Sequence, residues 1–334
     1  MAGRRRRVGL AKRAQHLGEY LLLRALLALL ARVPRRAALW FARRLGDFAF
    51  EILRLRRRVT LENLARAFGE EHSPAQRRQI AREAYRAMGM TFIELALFHT
   101  GTLEELVGLT RIRGRDHLRA AVAGGGGVVY LTAHVGNWET CGAVTGWLDE
   151  APAVVIADQR NPLVDRFVKR ARERVGLDLV PIGSALRKLL RRLRRGGRIA
   201  LVADQDAGRD GVFLDFMGTP AATATGPARL AYRSGAPILI GFDRHLPGGR
   251  HEIEYQPPLW VDRARPEAEE TVRLLRVYLE RLEAFVRRHP EQYFWMHRRW
   301  KTRPPDSAGD GGATSARSGS TRRDEESAAG ELRE

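Results

Sequence analysis

A short apolar run, Val128-Val129-Tyr130-Leu131-Thr132-Ala133, follows four glycines and leads straight into His134-Val-Gly-Asn-Trp-Glu139. A run this short, rich in β-branched and aromatic residues and bounded by glycine, reads as a buried strand. Asn137 is placed as a helix N-cap, with Trp138 and Glu139 in the first turn. The fold must therefore let a buried strand pass through a tight turn at Gly136 into a covering helix. On one continuous helix, residues five apart would diverge by about 140°. A strand-end histidine and a helix-start glutamate can instead face each other. That arrangement gives a carboxylate-oriented imidazole able to take a proton from a hydroxyl.

The alternation continues beyond this joint. A helix over 138–148 leads to a strand over 154–157, a helix opened by Asn161-Pro162, and a short strand over 179–182. Ser184 is the expected cap of the next helix. Leu186, Leu189, Leu190 and Leu193 form its apolar stripe, Arg187 and its basic neighbours fill the rest, and Gly196-Gly197 ends it. A strand over 199–203 stops at Asp204-Gln205-Asp206, and strands over 237–242 and 252–256 precede a helix over 266–288. Upstream, 61–99 is helical, with Ser73-Pro74-Ala75-Gln76 as a capping-box start. The expected fold is α/β, a mixed central sheet flanked by helices, with ligands at the carboxyl ends of strands. His134 and Asp204 both lie at such ends. The division expected along the chain is 1–60 as membrane-anchoring helices, 61–302 as the catalytic domain and 303–334 as a disordered tail.

The formal charge of +19 is concentrated at the front, where residues 1–60 hold 16 lysines and arginines against Glu19, Asp47 and Glu51. Such a surplus implies a polyanionic partner. The basic residues are interleaved with Leu21-Leu22-Leu23, Leu26-Leu27-Ala28-Leu29-Leu30, Trp40, Phe41 and Phe48, which suits an anionic membrane surface. A spanning helix needs about 20 mostly apolar residues, so a run interrupted by Glu19, Arg24 and Arg32 favours an interfacial anchor. No nucleic-acid motif is visible, and nucleic acid is not an expected partner. No small-residue cleavage pattern follows the apolar run. Cys141 is the single cysteine, which excludes an internal disulfide and disfavours a cysteine zinc site. No metal site is expected.

Several blocks, in order, carry a resemblance. Gly127 to Glu139 resembles the signature of the bacterial lipid A late acyltransferases (the lauroyl/myristoyl acyltransferase family), related to the phosphatidylinositol mannoside acyltransferases. Asp158-Gln159-Arg160-Asn161-Pro162 resembles that family's Arg…Asn-Pro block, and Leu186-Arg187 through Gly197 its arginine helix. Ala203-Asp204-Gln205-Asp206-Ala207-Gly208, with Phe213 and Phe216-Met217-Gly218 after it, resembles the Asp-Gln-Asp block, Met217 replacing a usual second phenylalanine. Ala221 to Ala228 stands where the family has an Ala-Thr-rich helix start. Trp295-Met-His297-Arg-Arg299-Trp-Lys301-Thr-Arg303 resembles the closing motif.

The resemblance implies a glycerolipid-acyltransferase-like enzyme at the cytoplasmic face of the bacterial inner membrane. It would move a fatty acyl chain from an acyl carrier protein or coenzyme A thioester, as co-substrate and without a cofactor, to a hydroxyl of a glycolipid. A lipid A precursor is the leading acceptor and a phosphatidylinositol mannoside the alternative. His134 is the expected base and Glu139 its orienting carboxylate. Arg160, Arg187, Asp204 and Asp206 are the expected substrate-binding residues. A different class of reading takes Asp204 and Asp206 as the Asp-x-Asp of a metal-dependent glycosyltransferase.

Overall fold

The front of the chain folds as four helices, the leucine-rich α1 (Leu10–Leu30), then α2 (Arg35–Glu51), α3 (Arg57–Phe68) and α4 (Pro74–Leu97).

 Pro74 follows the Ser73 cap at the first position of α4. Ser73 and Gln76 exchange the two hydrogen bonds of a capping box, as expected from the sequence. The computed structural model describes residues 9–30, 32–181 and 185–305. Ile182, the expected cap Ser184 and the tail from Asp306 lie outside the described residues.

α5 (Leu103–Gly108), β1 (Thr110–Arg113) and α6 (Arg115–Val122) then lead into the alternating part. It runs β2 (Val128–Thr132), α7 (Trp138–Leu148), β3 (Ala153–Ile156), α8 (Pro162–Arg174), β4 (Asp178–Pro181), α9 (Ala185–Arg194) and β5 (Arg198–Val202). A hairpin of β6 (Val212–Phe216) and β7 (Thr219–Thr223) follows, then α10 (Gly226–Ser234), β8 (Ile238–Leu246), β9 (Arg250–Tyr255) and α11 (Glu267–Arg288). Seven strands form one sheet in the order β1-β9-β8-β2-β5-β3-β4, parallel throughout except for the β8–β9 pair. The mixed α/β architecture is thus the expected one.

β2 lies mid-sheet, and its alternating side chains feed two cores. Val129 and Leu131 pack with α9, α10 and α11, while Val128 and Tyr130 pack with α6, α7 and α8. Phe50 and Leu64 join the first of these cores, so α2 and α3 are packed onto the sheet domain. Residues 212–223 form the β6–β7 hairpin, and α10 starts at Gly226, inside the run Ala221 to Ala228 where the resemblance places a helix start. Phe216 and Met217 are buried in the core, Phe216 against Tyr293 and Trp300.

Among the described residues, no helix is long and apolar enough to cross a membrane. Several apolar side chains of the front segment are nonetheless turned outward, Leu22 73% exposed, Trp40 60% and Ile52 66%, while Leu27, Leu30, Leu39 and Phe50 are buried.

Candidate active site

Parallel pairing in register builds the centre of the site. Thr132 of β2 lies opposite Val202 of β5, so the residues two places beyond each strand, His134 and Asp204, emerge side by side. His134 Nδ1 and Asp204 Oδ1 are 2.8 Å apart. Asp204 is almost fully buried, while the His134 side chain keeps 19% of its surface open. Burial opposes ionisation of Asp204, but the His134 contact and the nearby charge of Arg299 outweigh it and hold the carboxyl below its ordinary range. An ionised carboxylate only accepts, so in the neutral imidazole Nδ1 is the nitrogen that carries the proton and Nε2 the one with the lone pair. The imidazole is clamped by Trp138, 4.7 Å away between ring centres, and by Phe294 at 6.0 Å.

The loop behind the histidine is fixed from three sides. Gly136 has φ +51°, and a Cβ there would lie 2.2 Å from the Asp243 carbonyl oxygen, so only glycine fits. Gly136 N–H donates to Gln292 O, and its carbonyl accepts from Thr91 Oγ1. Asn137 caps α7 through Oδ1 as expected, while its backbone N–H donates to Asp243 and its side-chain amide to Glu94. Glu94 of α4 also receives Arg35 of α2 and contacts His245 and His251, which face each other across β8 and β9. Burial disfavours charge on His251, but Glu94 and Asp243 together push its pKa up to about 10. Among the described residues, Glu94, His245 and His251 are the group whose ligand atoms could hold a metal ion, all lying within 4.8 Å of one another. Arg35 already occupies Glu94 there. This supporting shell escaped the sequence reading, because its members are distant in sequence; the only local signal was two histidines flanking the turn Pro247-Gly-Gly249.

Glu139 is hydrogen-bonded to Arg172 and Trp138 rather than to the imidazole. The Asn137 cap turns Trp138 toward His134, and the next helical position lies about 100° further round. Glu139 accordingly faces α8, where Arg172 Nε donates to Oε2 at 2.9 Å and a second guanidinium nitrogen to Oε1. Trp138 Nε1 also donates to Glu139, at 3.2 Å. Both members of the ion pair are mostly buried. Burial lowers the Arg172 pKa, but Glu139 more than offsets this and raises it. Glu139→Ala is expected to lower unfolding free energy by about 3–5 kcal/mol, because it strands a buried guanidinium. Adding Arg172→Ala should recover part of that loss in denaturant titrations. A single variant as stable as the parent would contradict this account of the pair.

The remaining expected site residues are placed differently. Asp204, an expected substrate-binding residue, is hydrogen-bonded to His134. Asp206 is tied to the closing segment, accepting from Thr302 Oγ1 at 2.8 Å while its N–H donates to His297 Nε2 at 2.9 Å. Asp204 and Asp206 therefore do not converge as an Asp-x-Asp pair. Arg160 is exposed just before α8 and Arg187 is exposed on α9, neither hydrogen-bonded to the His134–Asp204 pair. Arg299 of the closing block is 1% exposed and donates to Ala222 O and Thr223 Oγ1, holding the end of β7.

His297 supplies an acid-sensitive point. Burial, outweighing the opposing pull of Asp204 and aided by the charges of His134 and Arg299, pushes its pKa down to about 4. Between pH 6.5 and 4 the unfolded chain binds a proton there that the folded chain does not, so stability falls as pH falls through that window. The loss approaches roughly 3 kcal/mol at the lower end, at about 1.4 kcal/mol per pH unit. His251, protonated in both states below pH 6.5, adds no slope there. His297→Gln keeps an acceptor for Asp206 N–H and should flatten the decline, read by denaturant unfolding at pH 7, 5.5 and 4.5. An unchanged pH profile in that variant would rule His297 out as the cause.

Comparison with known proteins agrees with the sequence blocks. The family described as bacterial lipid A biosynthesis acyltransferase matches residues 8–302. The lipid A biosynthesis lauroyltransferase of Escherichia coli (strain K12) is 28% identical over 268 residues, covering 78% of this chain and 84% of its own length. The lipid A biosynthesis palmitoleoyltransferase of the same organism is 26% identical over 277 residues, 82% of this chain and 88% of its own. A phosphatidylinositol mannoside acyltransferase of Mycobacterium tuberculosis (strain CDC 1551 / Oshkosh) is 34% identical over 166 residues, 47% of this chain and 48% of its own. With its family match running through nearly the whole described fold, the chain belongs to the bacterial lipid A biosynthesis acyltransferase family and is an acyltransferase.

Proposed function

We propose that this enzyme transfers a fatty acyl chain from an acyl carrier protein or coenzyme A thioester to a hydroxyl of a membrane glycolipid, with a lipid A precursor as acceptor. The observation that carries the reading is the buried Asp204 held 2.8 Å from Nδ1 of a partly open His134. His134 Nε2 takes the proton of the acceptor hydroxyl as its oxygen attacks the thioester carbonyl. Collapse of the tetrahedral intermediate breaks the carbon–sulfur bond, and the imidazolium returns the proton to the departing thiolate. Asp204 steadies the imidazolium, and the Glu139–Arg172 pair holds α7 against α8. No acyl-enzyme is needed: Cys141 is buried, and burial pushes its thiol up to about 12, the opposite of an activated nucleophile.

Arg160 and Arg187 are the proposed contacts to phosphate on acceptor or carrier, since exposed guanidiniums bind phosphate in bidentate fashion. The outward leucines and aromatics of α1 and α2, set among arginines, support placement on an anionic membrane surface, the cytoplasmic face of the inner membrane. A mannosylated phosphoinositide is the second acceptor, favoured by the higher identity, over a shorter stretch, to the mycobacterial enzyme. Lipid mass spectrometry of cells with and without the gene tests the reading. One glycolipid should lose a single acyl chain, and restoring His134→Ala should not return it. An unchanged lipid profile at normal expression would overturn the proposal. Turnover is also expected to persist in chelator, whereas a metal-dependent glycosyl transfer would stop.

A further inference from the structure

A cleft of about 820 Å³ lies between α1, the end of α4 and α8, on the helix layer covering one face of the sheet. Its apolar floor includes Leu27, Ala96 and Phe167, and its walls carry Arg24, Arg166, Arg170 and Arg174. Arg166, Arg170 and Arg174 recur every four residues and so share one face of α8. Like charges at that spacing repel, which costs helix stability unless an anion lies between them. Among the described residues, none of the four arginines pairs with a carboxylate, whereas Lys169 and Arg172 on the other faces of α8 both do. One acid, the exposed Glu173, lines the same cleft. His99 in the wall feels this field: burial and then the charges of Arg174, Arg24 and Arg170 lower its proton affinity.

The walls are held together. Asn161 at the start of α8 donates to His16 O at 2.9 Å and to Glu19 at 2.8 Å, both on α1, and Tyr20 meets Phe167 edge-on. Beside the cleft, on the adjoining side of α1, Leu17 and Leu21 are exposed. Guanidiniums at an apolar floor beside an outward leucine face complement an amphiphile with a phosphate head. We propose that this cleft binds the phosphate headgroup of an anionic phospholipid of the bilayer, its acyl chains lying along the exposed leucines of α1. The proposal rests on the membrane placement above but not on the acyl transfer.

Titrating the full chain in detergent with short-chain phosphatidylglycerol or phosphatidylcholine, each below its micellar concentration, tests this by calorimetry without any turnover. Saturable binding of one phosphatidylglycerol, and none of phosphatidylcholine, is expected. Arg166→Ala with Arg170→Ala and Arg174→Ala should weaken it roughly 100-fold, at about fivefold for each arginine. Ala28→Trp, which narrows the cleft without changing charge, should weaken it as well. A charge-matched set on the far side, Arg229→Ala with Arg263→Ala and Arg265→Ala, should leave it intact. Equal loss in that control set would mean diffuse attraction and overturn the site. Equal binding of the two lipids, or of inorganic phosphate as tightly as phosphatidylglycerol, would also overturn it. So would loss of binding to an acidic carrier protein in the triple variant with phosphatidylglycerol binding unchanged, which would assign the surface to a protein partner.

Discussion

His134→Ala is expected to lower kcat by roughly 10²–10⁴-fold, the usual contribution of a positioned general base. KM for donor and acceptor should move little, because the imidazole acts on a proton that shifts only in the transition state. The substitution opens a space beside Trp138 and Phe294 whose far wall is the Asp204 carboxylate. Added imidazole can enter there and present a nitrogen to the acceptor, so partial, saturable rescue is the expected signature of a lost base. Rescue should be weaker in His134→Gln, where a side chain still fills the space. The measurement is acyl-product formation by mass spectrometry in mixed micelles. Turnover of His134→Ala within tenfold of the parent would remove His134 from the chemistry.

Much of this was legible because it depends on local pattern. The strand–turn–helix joint at 128–139 was readable from β-branched residues, Gly136 and the Asn137 cap, and each serves the role its chemistry suggests. Helix starts at Ser73 and Asn161 were readable for the same reason. The β6–β7 hairpin was not. Its second strand is Thr-Pro-Ala-Ala-Thr, poor in strand-forming residues, and its turn places Met217 and Gly218 at φ +56° and +74°. Tight turns with two positive φ values normally advertise themselves through asparagine or aspartate before glycine, and methionine hides the signal.

The partner of His134 was obscured in a different way. Sequence proximity favoured Glu139, five residues away, over Asp204, seventy away. Distance along the chain carries no weight once two parallel strands are in register, because equal steps beyond their ends bring residues together. Both strand ends were recognisable; that β2 and β5 are neighbours was not, since the sheet order places β5 between β2 and β3. The supporting shell of Glu94, Asp243, His245 and His251 depends likewise on β8 bordering β2 and on α4 crossing behind the loop.

Asp204→Asn separates the two carboxylates by experiment. The amide is nearly the shape of the acid, and the neighbouring Tyr293 and Arg299 stay in place, so the fold should persist. Its NH₂ group can donate to Nδ1, which would leave the proton on Nε2 and turn the base away from its task. Loss of the negative charge also removes the stabilisation of the imidazolium that forms as the hydroxyl gives up its proton. An orienting aspartate changed to asparagine in a serine-protease triad lowers kcat about 10⁴-fold, and a loss of roughly 10²–10⁴-fold is expected here with KM nearly unchanged. Glu139→Gln predicts the contrasting pattern: its amide oxygen can still accept from Arg172, so the larger change should be in unfolding free energy, with a smaller effect on kcat. Should Asp204→Asn turn over like the parent while Glu139→Gln loses kcat at full stability, the imidazole would answer to Glu139 during the reaction, and the resting contact with Asp204 would be a structural one.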